Sequence, residues 1–211
     1  MRQSGINPCV VISGVCFVLL LSGCISVANS PTPRFYMLQA IHENQVSKKM
    51  NIASDMLIGV GPVKIPEYQD RPQIVTQGKE QLKFAQFDRW GESLDLGVER
   101  LIAEDLTVML PGAKFILYPW NLTIAVKYQV VVEIVQLDSE LDKDLFFVAQ
   151  WLIIDAQNTK TIIIRRSEFR EPIKPQNYSG LAKTLSTVCA SLSSEIAEAL
   201  ATLEDHPENK K

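Results

Sequence analysis

The longest regular pattern in the chain is a stripe of apolar residues towards its C-terminus. Leu181, Leu185, Val188, Leu192, Ile196, Leu200 and Leu203 recur every three or four positions, which is the spacing of one face of an amphipathic helix. Ser179 stands where such a helix is capped, behind Pro172 and Pro175. A shorter stripe, Val98, Leu101, Ile102, Leu106 and Met109, predicts a second helix from Leu96 to about Leu110. Asp95 is placed to cap it and Pro111-Gly112 to stop it. Between the helices the period changes to two. Tyr128 to Leu137 carries Tyr128, Val130, Val132 and Ile134 on one face, and Leu145 to Asp155 carries Phe147, Ala149, Trp151 and Ile153. Thr161 to Phe169 follows after the turn-like run from Asp155 to Lys160. Links this short, without a helical pattern between them, join antiparallel neighbours, so the three form a β-meander.

Upstream, further strands are expected at Arg34 to Leu38, Met56 to Val63, Gln73 to Gln77, Leu82 to Trp90 and Phe115 to Tyr118, with a loop over His42 to Asp55. Gly59 and Gly61 inside an apolar strand suggest a bulge or a close backbone approach. The segment Leu82 to Trp90 has no cleanly polar face, as in a strand covered on both sides or lying at a contact surface. The expected architecture is α+β: an antiparallel or mixed sheet that includes a C-terminal-half meander, with two amphipathic helices packed on it.

The N-terminus is different in kind. Arg2 precedes an apolar run, Val10 to Leu21, which is shorter than the ~20 residues that span a bilayer. It ends in Leu21-Ser22-Gly23-Cys24 rather than an Ala-x-Ala site. This looks like a bacterial lipoprotein signal. The resemblance implies that Cys24 becomes the acylated first residue of the mature protein and that residues 1–23 are removed. It also implies outer-membrane sorting, since Ile25 and Ser26, not an aspartate, follow the cysteine. Three acyl chains, the usual number for that class, hold far more firmly than one. Residues 24–33 then read as a lipidated N-terminus and a Ser- and Pro-containing tether. Fully extended, Ile25 to Pro33 would reach about 30 Å. Residues 34–204 are expected to form a single domain and 205–211 a disordered polar tail.

Charge and composition narrow the partners. The whole chain has a net charge of −3, and loss of Arg2 with the leader leaves −4. A mildly acidic domain without a basic block does not suit nucleic acid or a polybasic hold on anionic lipid. Of four cysteines, Cys9 and Cys16 would leave with the leader and Cys24 would be acylated. Cys189 is left alone in a helix-spaced apolar stretch, which suits a buried small side chain better than a redox role.

Candidate chemistry is sparse. The two histidines, His42 and His206, lack metal-ligand neighbours at useful spacing, so neither a metal nor a cofactor is expected. Gly59-Val60-Gly61 lacks the third glycine of a dinucleotide fingerprint, and Pro62 and Pro66 block the helix it would open. Glu92 with Asp95, and Asp142 with Asp144, could be paired carboxylates, but such pairs are common on solvated loops. An enzyme is not expected. The candidates for partner contact are Asp70 and Arg71, in a turn before Pro72, and Arg89 with Trp90, at a strand end. For the first pair the competing reading is a structural turn, with Asp70 closing an Asx turn. For the second it is a structural role at the strand end, although Trp and Arg are favoured at interface centres.

One stretch is distinctive beyond these patterns. Ile58-Gly59-Val60-Gly61-Pro62-Val63, then Ile65-Pro66, Tyr68 and Asp70-Arg71-Pro72-Gln73-Ile74-Val75-Thr76, is joined by Phe87-Asp88-Arg89-Trp90-Gly91-Glu92. With the lipobox, Phe35 to Leu38 and Leu192 to Ala197, this resembles the PqiC-like (YmbA) ABC-type transport auxiliary lipoproteins. Gly91 departs from the alanine more often expected there. The resemblance covers essentially the whole mature domain. It implies a non-enzymatic outer-membrane lipoprotein that docks or anchors a periplasmic MCE-domain (PqiB-like) lipid conduit and supports envelope integrity. It carries over no catalytic residue, and a ring-shaped partner makes a homo-oligomer a natural expectation. The alternative is an outer-membrane lipoprotein that regulates a peptidoglycan synthase. A long tether would favour that role, and this one is short.

Overall fold

The structure is a computed structural model that describes residues 31–45, 49–52, 54–78, 80–121 and 123–205. The leader, Cys24, the greater part of the tether and the tail 206–211 with His206 lie outside the described residues. From Pro33 onward the described residues form one unit. Its elements are β1 (Arg34–Tyr36), β2 (Met56–Lys64), β3 (Gln73–Gly78), β4 (Gln81–Trp90), α1 (Leu94–Met109), β5 (Ala113–Leu117), β6 (Tyr128–Ser139), β7 (Asp144–Asp155), β8 (Lys160–Pro172) and α2 (Tyr178–Asp205).

The fold is α+β, with the strands in two sheets. Five strands make the larger, in the order β5-β2-β6-β7-β8, and three make the smaller, in the order β1-β4-β3. β6, β7 and β8 are the antiparallel meander that the period-two pattern predicts, with Val132 opposite Trp151 and Trp151 opposite Arg165. The parallel pairs β2–β5 and β2–β6 do not show in that pattern. They arise because the chain leaves β5 and crosses over β2 to begin β6 on its far side. Trp120 lies in that crossing and packs on Gly59, where a Cβ would collide with its ring. Gly59 is therefore glycine because a chain passes directly over it. Tyr118 N–H donates to Val60 O at 2.9 Å and Lys127 N–H to Leu57 O at 2.8 Å, fixing the two ends of the crossing.

Two residues on, β2 shifts register against β6 between Val60 and Val63. Gly61 sits there at φ +109°, a conformation that a side chain would strain. The carboxylate of Glu99, reaching from α1, occupies the space where a Gly61 side chain would go. Burial pushes the Glu99 carboxyl up from its usual range, while the backbone N–H groups of Val63 and Tyr118 favour its charged form. The distinctive Gly-Val-Gly-Pro run is thus a bulge with its own acidic plug.

Both helices pack on the larger sheet over one continuous core that contains Ile58, Val130, Phe147, Trp151, Leu101 and Leu192. In the α2 stripe, Leu181 to Leu200 are buried at every predicted position, with Leu203 partly so. Each such burial stabilises by about 1.5–3 kcal/mol before entropy is counted. Side chains pin the C-terminal part of the helix to the sheet. Trp151 Nε1 donates to Ser167 Oγ at 2.9 Å, and Ser167 in turn donates to Glu195. Tyr128 OH and Lys127 Nζ both reach Glu204, at 2.9 and 2.7 Å.

The helix starts differ from expectation. α1 opens at Leu94, with Ser93 rather than Asp95 in the capping position. The Ser93 hydroxyl donates to Asp95, whose charge lies in the first turn, where the helix dipole favours an anion. α2 is capped by Asn177, whose side-chain oxygen accepts the Gly180 N–H at 2.9 Å, and not by Ser179. Cys189 is completely buried, and burial first, then the nearby Asp105, pushes its thiol up and keeps it protonated.

Candidate functional site

The small sheet depends on one buried charge. Asp88, on β4, accepts from Arg34 Nε and Nη2, each at 2.8 Å, and from Tyr36 OH at 2.7 Å. The Arg34 hydrogen bond holds the Asp88 carboxyl below its usual range against the opposing effect of burial. Burial is also the main reason why the Tyr36 hydroxyl is raised. A bidentate Arg–carboxylate fork is among the stronger side-chain pairs. Here it fastens a strand only three residues long in parallel register, Arg34 opposite Asp88 and Tyr36 opposite Trp90.

The four candidate contact residues meet at one corner of this sheet. Trp90 N–H donates to Pro72 O at 2.8 Å, and Arg89 stands opposite both Gln73 and Phe35. Asp70 and Arg71 are exposed, and the Arg71 guanidinium lies 4.6 Å from the centre of the Phe84 ring. Their turn closes through the backbone, Gln69 N–H to Pro66 O at 2.8 Å and Arg71 N–H to Gln69 O at 2.8 Å. It is pinned to β6 by Gln69 Nε2 on Leu137 O at 2.8 Å and Tyr68 OH on Asp138 at 3.1 Å. Trp90 is 6% exposed and belongs to the core. Its Nε1 and the Nε of Arg89 are buried without a hydrogen-bond partner among the described residues, an uncommon state for buried donors.

One member of each carboxylate pair weighed above is engaged in an ion pair. Glu92 binds Arg100 at 2.6 Å, which also reaches Glu104, and Asp144 binds Arg170 at 3.0 Å. Among the described residues no group of three or more His, Cys, Asp or Glu could hold a metal.

One recess is not singled out by the sequence patterns. It is a groove of about 580 Å³ beside the same corner, with Phe35, Tyr36 and Met37 on one wall and Ser179, Lys183 and Thr187 of α2 on the other. That volume lies within the ~300–1,000 Å³ of ligand pockets. Phe35 and Met37 are exposed, at 66% and 47%. Two signals could have found it. Phe35 and Met37 are apolar residues in the alternating positions of a short strand, and α2 carries a small polar stripe opposite its leucines. A further carboxylate escaped notice too. Asp105 falls on the apolar face of α1 and is fully buried, accepting from Ile41 N–H at 2.9 Å and Ser193 Oγ at 3.2 Å.

Known structures share the arrangement. One described only as an uncharacterized protein aligns with a TM-score of 0.65 at 19% identity, covering 81% of this chain and 99% of that one. Protein XCC0632 from Xanthomonas campestris aligns with a TM-score of 0.63 at 9% identity, covering 82% and 99%. At such identities the likeness defines the class of fold. The family model for the ABC-type transport auxiliary lipoprotein component matches residues 36–197, and the chain belongs to that family. A search of curated proteins finds no match.

Proposed function

We propose that this lipoprotein is a docking component of an MCE-type lipid-transport system at the outer membrane. Residues 1–23 serve as its leader, Cys24 carries the acyl chains, 24–33 form the tether and 34–204 form the docking domain. The observation that carries the reading is the family match over residues 36–197, taken with the Leu21-Ser22-Gly23-Cys24 sequence just upstream. The domain acts by binding: it holds a periplasmic MCE-domain (PqiB-like) conduit close to the membrane and so supports envelope integrity. A short tether suits this role, because it keeps the domain within about 30 Å of the membrane surface and leaves the partner to span the remaining distance. Asp70 and Arg71 are the exposed members of the candidate contact set.

Two experiments test this. Radiolabelled fatty acid should enter the wild-type protein and not Cys24→Ser; an unlabelled wild type refutes the anchor. Crosslinking in intact cells should join the domain to an MCE-domain protein. Reproducible capture of a peptidoglycan synthase instead would establish the alternative role.

A further inference from the structure

One wall of the groove is the edge of a strand. β1 is outermost in its sheet, with β4 as its one partner. Tyr36 directs its carbonyl towards β4, where Gly91 N–H donates to it at 2.8 Å. Backbone groups alternate sides along a strand, so the N–H and C=O of Phe35 and the N–H of Met37 point away from β4. Side chains of consecutive strand residues also point to opposite faces. Three in a row, Phe35 to Met37, can line one recess only where the strand edge itself forms its wall. The facing wall is the small polar side of α2, so the helix stands across from an unfilled row of strand hydrogen-bonding groups.

Charge selects what fits. No Asp or Glu among the described residues lines the groove, whereas Lys183 does. Among the described residues Lys183 makes no ion pair. In a chain of net charge −3 this is a locally cationic recess. A lipid headgroup would satisfy Lys183 but leave the Phe35 and Met37 backbone groups unmatched. An extended peptide bearing a carboxylate satisfies both.

The geometry points to this groove as a strand-addition site: an extended segment of a partner protein pairs with the free edge of β1, becomes the fourth strand of the small sheet, and sets a carboxylate against Lys183. Its apolar side chains lie on Phe35 and Met37. The inference rests on the reading of the domain as a docking module, but not on which protein docks.

The test uses the full-length acylated protein in detergent micelles against a displayed library of short linear peptides. Selected peptides should alternate apolar residues and carry Asp, Glu or a terminal carboxylate. Lys183→Glu should weaken them by roughly tenfold or more. Phe35→Pro removes an outward N–H and should abolish binding, whereas Phe35→Ala retains it in part; thermal melting checks that each variant is folded. Amide exchange at Phe35 and Met37 should slow when peptide binds. Selection of no binding peptide, or binding indifferent to Phe35→Pro, overturns the proposal. So does Lys183-dependent binding confined to phosphatidylglycerol vesicles, which assigns the groove to a lipid headgroup. Crosslinking of these variants in cells separates the two claims. If an MCE-domain protein is captured equally by Phe35→Pro and Lys183→Glu, the groove assignment fails and the functional reading stands. If peptides fill the groove as described and no MCE-domain protein is ever captured, the reverse holds.

Discussion

Replacing Asp105 by asparagine should make the domain more stable at neutral pH and leave it unchanged in acid. Asp105 is wholly buried between the two helices and the segment that follows β1. Burial pushes its carboxyl from 3.8 up to about 6, against the hydrogen bonds from Ile41 and Ser193. The folded state therefore holds this proton more tightly than the unfolded chain. Stability from this group is full below the unfolded value and is lost as pH rises through the folded one. At 1.36 kcal/mol per pKa unit, ionisation in place costs about 3 kcal/mol above pH ~6. Asparagine keeps the oxygen that accepts from Ile41 and turns its amide to donate to Ser193, so both partners stay satisfied. Urea unfolding of the domain from Pro31 onward, at pH 4 and 7.5, measures the effect. The wild-type-to-variant difference cancels carboxylates such as Asp88, whose lowered value acts in the opposite sense. Asp105→Asn should gain about 1–3 kcal/mol at pH 7.5, roughly 1 M in urea midpoint, and nothing at pH 4. A loss of stability that is larger at pH 7.5 than at pH 4 would show that Asp105 is folded in its charged form and refute the reasoning.

The remaining expectations are simpler to read. Gly59→Leu should unfold the domain or lower its stability by several kcal/mol, because Trp120 occupies the space; a thermal melt matching wild type would mean that the crossing does not lie on Gly59. Asp88→Ala leaves Arg34 and Tyr36 without their shared acceptor and should cost about 1–3 kcal/mol, with proteolysis between β1 and β2 as the sensitive readout. Cys189 should resist thiol reagents in the native protein and react fully in denaturant; rapid native labelling would contradict its burial. The domain from Pro31 onward should melt cooperatively without its anchor, and a broad, molten transition would count against a self-sufficient core.

Local periodicity is what made most of the fold readable. The leucine stripe of α2 and the alternation in β6, β7 and β8 each describe one face buried against one neighbour, and a short-range pattern records that directly. The parallel pairs of β2 were not readable in this way, since they depend on where the chain crosses after Leu117, a relation between distant segments. Gly59 carried a trace of it, as a strand glycine that implies close approach, without saying what approaches. The helix caps each went wrong by two residues because Ser93 and Asp95, like Asn177 and Ser179, are all chemically fit to cap. At the candidate site, Trp90 invited an interface reading by residue type, yet its place opposite Tyr36 in the sheet buries it. The groove escaped because it is made by two segments more than 140 residues apart, Phe35 to Met37 and Ser179 to Thr187, and neither is unusual alone.

The proposed role is docking of an MCE-type transport component near the membrane. The most direct measurement is site-specific photocrosslinking of the full-length protein in living cells, with probes placed at Arg71, Phe35 and Lys183 and the products identified by mass spectrometry. An MCE-domain protein should be joined at one or more of these positions, and the product should be lost when Cys24→Ser removes the anchor. Probes that repeatedly capture other envelope proteins and never an MCE-domain protein would contradict it.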